Sequence, residues 1–160
     1  MKVAIGQDSH RFDFSDSTKK LILGGIIIPN HPPLSGNSDA DVILHSVTNA
    51  ISGITCVNIL GSIADTMCNS GVKDSSVYLA KALSYMDPRY YISHLSISIE
   101  CKTPKLSPYI EDIRINIAKL LNIPSSCVGI TATSGEGLTD FGRGFGIQVF
   151  SCITVCSKDI

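Results

Sequence analysis

The chain has 160 residues, 44% of them hydrophobic and 17% charged, with a formal net charge of -1. That length suits one globular domain with a sizeable core. The near-neutral charge, with no basic run and no aromatic-basic interleaving, argues against nucleic acid as a partner, and no apolar run reaches the ~20 residues that span a bilayer.

The first residues enter a strand-like segment directly, so no secretory leader is expected. Six cysteines (Cys56, Cys68, Cys101, Cys127, Cys152 and Cys156) lack CxxC spacing and lie mostly in apolar runs. They read as buried free thiols of a reducing cytoplasm rather than as disulfides or metal ligands.

Val3 to Phe14 is the first predicted strand. Residues two apart on a strand share a face, so Asp8 and His10 converge while Ser9 points away. Lys20 to Pro29, KLILGGIIIP, places two apolar runs around Gly24-Gly25 and predicts a hairpin. Asn30 to Asn37 is a loop. In Ser35 to Ile54 the apolar residues fall at Ala40, Ile43, Leu44, Val47, Ala50, Ile51 and Ile54, the steps of one buried helix face. Ser38 or Asp39 is the expected cap, and Ser38 with Asp41 reads as a capping box. Ser38, Asp41 and His45 are three and four apart and are expected on a second face.

Cys56 to Gly71 is less regular and reads as a short turn with a mobile loop, holding Asp65. Asp74 to Asp87 predicts another helix, with Leu79, Ala82, Leu83 and Met86 on one face and Pro88 as its stop. His94 to Cys101 alternates, with Leu95, Ile97, Ile99 and Cys101 on one side, and predicts a half-buried strand. Ser107-Pro108 reads as cap and first turn of a helix running to about Leu121. Its stripe is Ile110, Ile113, Ile117, Leu120 and Leu121. Val128 to Thr133 is a strand that runs into the glycine- and hydroxyl-rich TSGEGLTDFGRG. Phe145 to Val155 is a last, long strand, apolar on both faces. One face can cover helices; the other needs cover too. This order requires a sheet mixing parallel and antiparallel pairs.

Asp8, His10 and His45 offer one carboxylate and two imidazoles. Three protein ligands with an open fourth position define a catalytic zinc site. Asp41, one turn before His45, is positioned in sequence to orient an imidazole. Glu136 is the only acid in the glycine-hydroxyl stretch TSGEG. Thr133, Ser134 and the amides of Gly135 and Gly137 are candidates for holding phosphate oxygens. A carboxylate among phosphates calls for a hard cation, and Mg²⁺ is the natural choice. Arg143 in GRG is a candidate for a diphosphate or carboxylate, and Lys105 in KTPKL sits in a strand-to-helix connection of the kind that binds ligands. His31 and His94 have no partners in sequence and read as bystanders. Each pattern taken alone also fits an ordinary cap, turn or surface arginine.

As an ordered set, DSH, LGGIIIP, SDADVILH, the Ala64-Asp65 pair between Ser62 and Thr66, TPKL, ATSGEGL and GRGFGI resemble the 2-C-methyl-D-erythritol 2,4-cyclodiphosphate synthase family nearly end to end. The resemblance implies cyclisation of 4-diphosphocytidyl-2-C-methyl-D-erythritol 2-phosphate with release of CMP, in the non-mevalonate route to isoprenoids. It implies Zn²⁺ on Asp8, His10 and His45, and Mg²⁺ or Mn²⁺ on Glu136 between the phosphates of the CDP group. Catalytic positions would be Ser38, Asp41, Thr133 and Glu136. Substrate-binding positions would be Ser38, Gly61, Asp65, Cys101, Thr103, Pro104, Lys105, Leu106, Thr133, Ser134 and Arg143. Of these, Asp65 would hold the methylerythritol hydroxyls, and the 101–106 segment with Thr133 the cytidine diphosphate part. The family is a homotrimer with shared active sites at subunit interfaces.

Together, order and resemblance give an α+β fold: one domain over residues 1–160, a mixed four-stranded sheet with helices on one face, a small hairpin, and trimeric assembly. The chain departs from the family pattern at Gln7, where an aromatic is usual. Asn37 replaces a histidine, Asn49, Ile59 and Met67 replace acids, and Phe145 turns RGEG into RGFG. Two other classes compete. A zinc-dependent phosphate hydrolase would need a base at the metal-bound water, and no HExxH is present. A non-catalytic trimeric cytidine-nucleotide sensor would bind without turnover.

Overall fold

The computed structural model describes residues 1–158. The elements, in order, are β1 (Lys2–Arg11), β2 (Leu21–Leu23), β3 (Ile26–Ile28), α1 (Val42–Thr55), α2 (Ser62–Asn69), α3 (Ser75–Leu83), β4 (Tyr90–Glu100), α4 (Ile110–Leu121), β5 (Val128–Thr133) and β6 (Gly146–Ser157), with a 3-10 turn at Ser125–Cys127. Two of the strands, β2 and β3, form the hairpin; the other four make one sheet in the order β1-β6-β4-β5. Only β4 and β5 run parallel. A parallel neighbour needs a crossover, and α4 supplies it. In the hairpin turn, Gly24 and Gly25 both take left-handed φ, 60° and 78°, the geometry that a tight two-residue connection requires.

Strict alternation assigns the two faces of the sheet. Leu95, Ile97 and Ile99 of β4, and Ile147, Val149, Ile153 and Val155 of β6, are buried under the helices. Helix α1 lies on β1 and β6, with α3 beside it. Its predicted apolar stripe is buried up to Ile51, but Val42, His45, Ser46 and Thr48 are buried as well, because a central helix is covered on more than one side. The approach of α1 to β1 is possible only because residue 6 is glycine: a Cβ there would lie 2.1 Å from the Ser46 carbonyl oxygen and 2.2 Å from the Ala50 nitrogen. On the opposite face of the sheet, Val3, Ile5 and Phe150 are exposed (55%, 70% and 42%). All six cysteines are free thiols, but only Cys68 and Cys101 are buried; Cys127, Cys152 and Cys156 are half-buried and Cys56 is exposed. No helix among the described residues is long and apolar enough to cross a membrane.

Several boundaries differ from the sequence expectation. Helix α1 starts at Val42, and its cap is Asp41, whose carboxylate accepts from the Leu44 N–H. Ala40 just before it has a φ of 55°, which stops the helix from reaching back to Ser38. The Ser38 hydroxyl accepts from the Ala40 N–H instead, so there is no capping box. The stretch expected to be irregular, Cys56 to Gly71, contains α2, an eight-residue helix. With only Ala64 and Cys68 buried on it, periodicity had little to register. Strand β4 begins at Tyr90, four residues before the predicted start: a register shift between Ile92 and His94 breaks the alternation there. Ser107-Pro108 lies in a turn closed by the Tyr109 N–H on the Leu106 carbonyl, and α4 starts after it. The helix expected to reach Asp87 ends at Leu83, and β6 runs on to Ser157.

Candidate metal centre and substrate cleft

Strand β1 and helix α1 meet along one edge where their polar side chains converge. Asp8 and His10 point from β1 towards α1, on the face that carries Gly6, and His45 reaches down from one turn into α1. His10 Nε2 lies 2.9 Å and His45 Nδ1 3.0 Å from the same oxygen, Asp8 Oδ2. The two nitrogens are 3.3 Å apart. All three ligand atoms lie within 4.8 Å of one another, the one such grouping among the described residues.

The hydrogen bonds behind the rings decide what these atoms offer. His10 Nδ1 is 2.7 Å from the Ser35 carbonyl oxygen, which can only accept, so Nδ1 carries the proton. His45 Nε2 is 2.8 Å from the Ser75 hydroxyl, which in turn donates to Asp39. That hydroxyl's single proton is committed, so it accepts from His45 Nε2. Both neutral rings therefore direct a lone pair, and Asp8 a carboxylate oxygen, at one point. Such a donor set fits a divalent cation with nitrogen and oxygen ligands. Without one, charge is balanced by protons. Burial pushes the Asp8 carboxyl up, but hydrogen bonds and positive charge from His10 and His45 outweigh it and hold it at about 2. Burial lowers the pKa of His10, and the Asp8 carboxylate more than reverses this, leaving it raised.

The three ligands floor a cleft of about 300 Å³, also lined by Asn37, Ser38, Gly61 and Asp65. The helix that sequence periodicity does not reveal, α2, brings Asp65 over this cleft, one turn after Gly61, whose carbonyl accepts the Asp65 N–H. Asn49, Leu60, Cys68 and Tyr78 complete the walls. Of the departures from the family pattern, Asn37 and Asn49 thus face the cleft. Asn49 donates to the Gln7 carbonyl.

Asp41 is the correction among the site expectations. It is fully buried and faces away from His45, accepting from the N–H groups of Gly24 (2.9 Å), Gly25 (2.6 Å) and Leu44 (3.0 Å). It clips the hairpin to the start of α1, and His45 is oriented by Ser75 and Asp39 instead. Those two lie 36 residues apart in sequence, and no linear pattern joins them.

The remaining expected residues form a second cluster at the C-terminal ends of β4 and β5. The Cys101 N–H donates to the Thr133 carbonyl and that of Lys102 to the Phe141 carbonyl, which binds the 101–106 segment to the glycine-rich loop. Thr133, Ser134, Glu136, Lys105 and Thr103 are exposed there. Glu136 has a φ of 51° between two left-handed glycines, Gly135 and Gly137. A non-glycine residue held there is uncommon. Arg143 is paired with Asp140 at 2.7 Å. Cys101 and Leu106 are buried, and burial pushes the Cys101 thiol up to about 11, so only their backbones are available to a ligand. The Thr103-Pro104 bond is cis. His31 is not a bystander: its Nε2 meets Thr103 Oγ1 at 3.1 Å and its ring lies against Phe12, tying the 30–37 loop to this cluster. None of Lys105, Thr133 and Glu136 lines the metal-side cleft of the same chain.

Comparison with known proteins follows the same lines. The YgbB family model matches residues 1–156. A protein of Chlamydia trachomatis (serovar L2b) called 2-C-methyl-D-erythritol 2,4-cyclodiphosphate synthase is 48% identical over 155 residues, covering 96% of this chain and 87% of that one. The protein of the same name from Chlamydia muridarum is 50% identical, with the same coverage. Among solved structures, the Plasmodium falciparum IspF in complex with CDP aligns with a TM-score of 0.81 at 28% identity, over 99% of this chain and 97% of that one. The bifunctional IspDF from Campylobacter jejuni aligns with a TM-score of 0.83 at 27% identity, over 98% of this chain and 42% of the longer one. On the end-to-end model match and these identities, the chain belongs to the YgbB family.

Proposed function

We propose that this chain, taken as one domain over residues 1–160, converts 4-diphosphocytidyl-2-C-methyl-D-erythritol 2-phosphate to 2-C-methyl-D-erythritol 2,4-cyclodiphosphate with release of CMP, in the cytoplasm, at sites shared between the subunits of a homotrimer. The observation that carries the reading is the convergence of Asp8 Oδ2, His10 Nε2 and His45 Nδ1 on one point, with both imidazole tautomers fixed from behind. Named relatives and a CDP-bound neighbour agree with it.

Asp8, His10 and His45 would hold Zn²⁺. Glu136, exposed and the only carboxylate of the TSGEG stretch, would hold Mg²⁺ or Mn²⁺ jointly with substrate phosphates, the usual arrangement for a cation that keeps most of its waters. When bound, the two ions supply positive charge to the attacked β-phosphate and to the departing CMP. The attacking oxygen belongs to the substrate's own 2-phosphate and is already anionic, so the chain needs no strong base. Its residues bind and align. Ser38, at the rim of the cleft, donates to a phosphate. The Asp65 carboxylate accepts from the methylerythritol hydroxyls. Lys105, Thr133, Ser134 and Arg143, with the backbone of Cys101 to Leu106, receive the cytidine diphosphate end. Holding both ends fixes the in-line geometry that cyclisation requires.

Two features support shared sites. The residues read as holding sugar and metal line one cleft, and those read as receiving the cytidine end form another cluster of the same chain. The apolar face bearing Val3, Ile5 and Phe150 is also uncovered, and a three-fold assembly would bury it. The test is phosphorus NMR of the substrate with purified protein and both metals. The expected result is the paired signals of a cyclic diphosphate appearing together with CMP. Linear phosphate products would instead indicate a hydrolase, and unchanged substrate with tight cytidine nucleotide binding would indicate a sensor.

A further inference from the structure

Ser75 sits at the first position of α3, fully buried, and touches two things of interest. Its hydroxyl oxygen is 2.8 Å from His45 Nε2. Its hydroxyl proton goes to Asp39 Oδ1, and its backbone N–H goes to Asp39 Oδ2 at 3.0 Å. Asp39 is itself fixed, with its N–H on the Lys73 carbonyl at 2.9 Å. One carboxylate thus grips both donors of one serine, and that serine presents only lone pairs to the histidine. A hydroxyl held this way cannot turn round and donate. His45 is thereby held with a proton on Nε2, which leaves Nδ1, facing Asp8 and His10, as the ring atom that can bind a metal.

We propose that Asp39 and Ser75 are positioning residues: a carboxylate-hydroxyl relay that sets the His45 tautomer and so its competence as a metal ligand. The inference deepens the zinc reading above and rests on it. Neither residue is placed to touch the metal or the substrate. Their effect passes through one ring. Partners of this kind behind a ligating histidine change metal affinity by roughly 10–100-fold when removed.

The relay makes its two members unequal. In Ser75→Ala the His45 Nε2 proton loses its acceptor, while Asp39 keeps the Ser75 backbone N–H and α3 keeps its start. In Asp39→Asn an amide oxygen and an amide NH₂ replace two carboxylate oxygens. If the NH₂ faces the Ser75 hydroxyl, that hydroxyl becomes free to donate to His45 Nε2, and the Nδ1 proton would then point at the metal position.

The experiment uses the full-length protein and zinc alone. Zinc dissociation constants are measured by competition with a chromophoric chelator for wild type, Ser75→Ala and Asp39→Asn. The His45 tautomer is read in the metal-free proteins from ring ¹⁵N shifts. The expected result is a proton on His45 Nε2 in wild type, a zinc affinity at least roughly tenfold weaker in both variants, and loss of that Nε2 proton from part of the population in Asp39→Asn. Thermal unfolding of the metal-free forms separates this from general loss of fold, which would weaken zinc binding with no tautomer change and would overturn the proposal. Equal zinc affinity in all three proteins, or a wild-type His45 with no proton on Nε2, would also overturn it while leaving the zinc reading standing. If wild type took up no zinc, both would fall.

Discussion

Replacing Gly6 by alanine tests whether the contact between β1 and α1 assembles the metal centre. The added Cβ would meet three backbone atoms of α1: the Ser46 oxygen at 2.1 Å, the Ala50 nitrogen at 2.2 Å and the Asn49 carbonyl carbon at 2.8 Å. Ordinary carbon contacts start near 3.4 Å, and none of these atoms ends a flexible side chain, so the helix must retreat by roughly an ångström. Overpacking of this kind costs about 1–3 kcal/mol, and with backbone on both sides the upper end applies. About 3 kcal/mol corresponds to roughly 6–12 °C in melting temperature for a chain of this size. Function suffers by the same displacement. Asp8 and His10 stay with β1 while His45 leaves with α1, so ligand atoms now 3.0 Å apart separate by several times the ~0.2 Å that a metal site tolerates. The assay is circular-dichroism melting together with zinc competition titration. Gly53→Ala, where the new Cβ meets Ala4 Cβ at 2.9 Å, should lie in between, and Gly129→Ala, where it meets only His94 Nε2 at 3.8 Å, should be close to neutral. A Gly6→Ala protein that melts within about 2 °C of wild type and binds zinc equally well would refute the reasoning.

Burial raises the pKa of Asp41 to about 6 from 3.8, against the pull of the Leu44, Gly25 and Gly24 amides. The folded state therefore binds that proton more tightly than the unfolded chain, and the contribution is complete below pH ~4 and is lost as pH rises through ~6. Denaturant titrations of wild type and Asp41→Asn across that window should show the variant gaining on wild type with rising pH, with one zinc per chain retained; a constant difference, or lost zinc, counts against the buried clip. Glu136→Gln should slow turnover and weaken its Mg²⁺ dependence while zinc content, measured by elemental analysis, stays unchanged; a fall in zinc would mean that the two metal roles are misassigned. Mixing inactive Asp65→Ala and Lys105→Ala proteins after dissociation and reassembly should restore part of the activity, since some interfaces then carry neither lesion. No recovery despite proven subunit exchange would exclude shared sites.

What could be read from the linear chain was whatever depends on neighbours in sequence. The alternation of Leu95, Ile97 and Ile99 and the three-four spacing of Ile43, Leu44, Val47 and Ala50 reflect local geometry, so β4 and α1 were legible apart from their ends. The Gly24-Gly25 turn was legible because its left-handed residues are glycines. Asp8 and His10 share a strand face by period two, and His45 belongs to the helix beside them, so the candidate metal ligands were visible before the fold. Helix α2 was not, since a short helix that buries two residues leaves almost no periodic trace. Nor was the start of α1, because spacing alone cannot reveal that Ala40 takes a left-handed backbone and cuts Ser38 off from the helix.

Tertiary structure alone decided which polar group serves which. By sequence, Asp41 sits one turn from His45 and looks like its partner. In the fold, the α1 N-terminus abuts the hairpin, and the buried N–H of Gly24 and the N–H of Gly25 need an acceptor, which Asp41 provides. The role left open goes to Ser75 and, behind it, Asp39, because α3 packs beside α1 and brings its first residue against the ring. Local sequence sets which atoms a residue can offer. Which unsatisfied group it meets is set by long-range packing, where an unpaired buried donor or acceptor is costly.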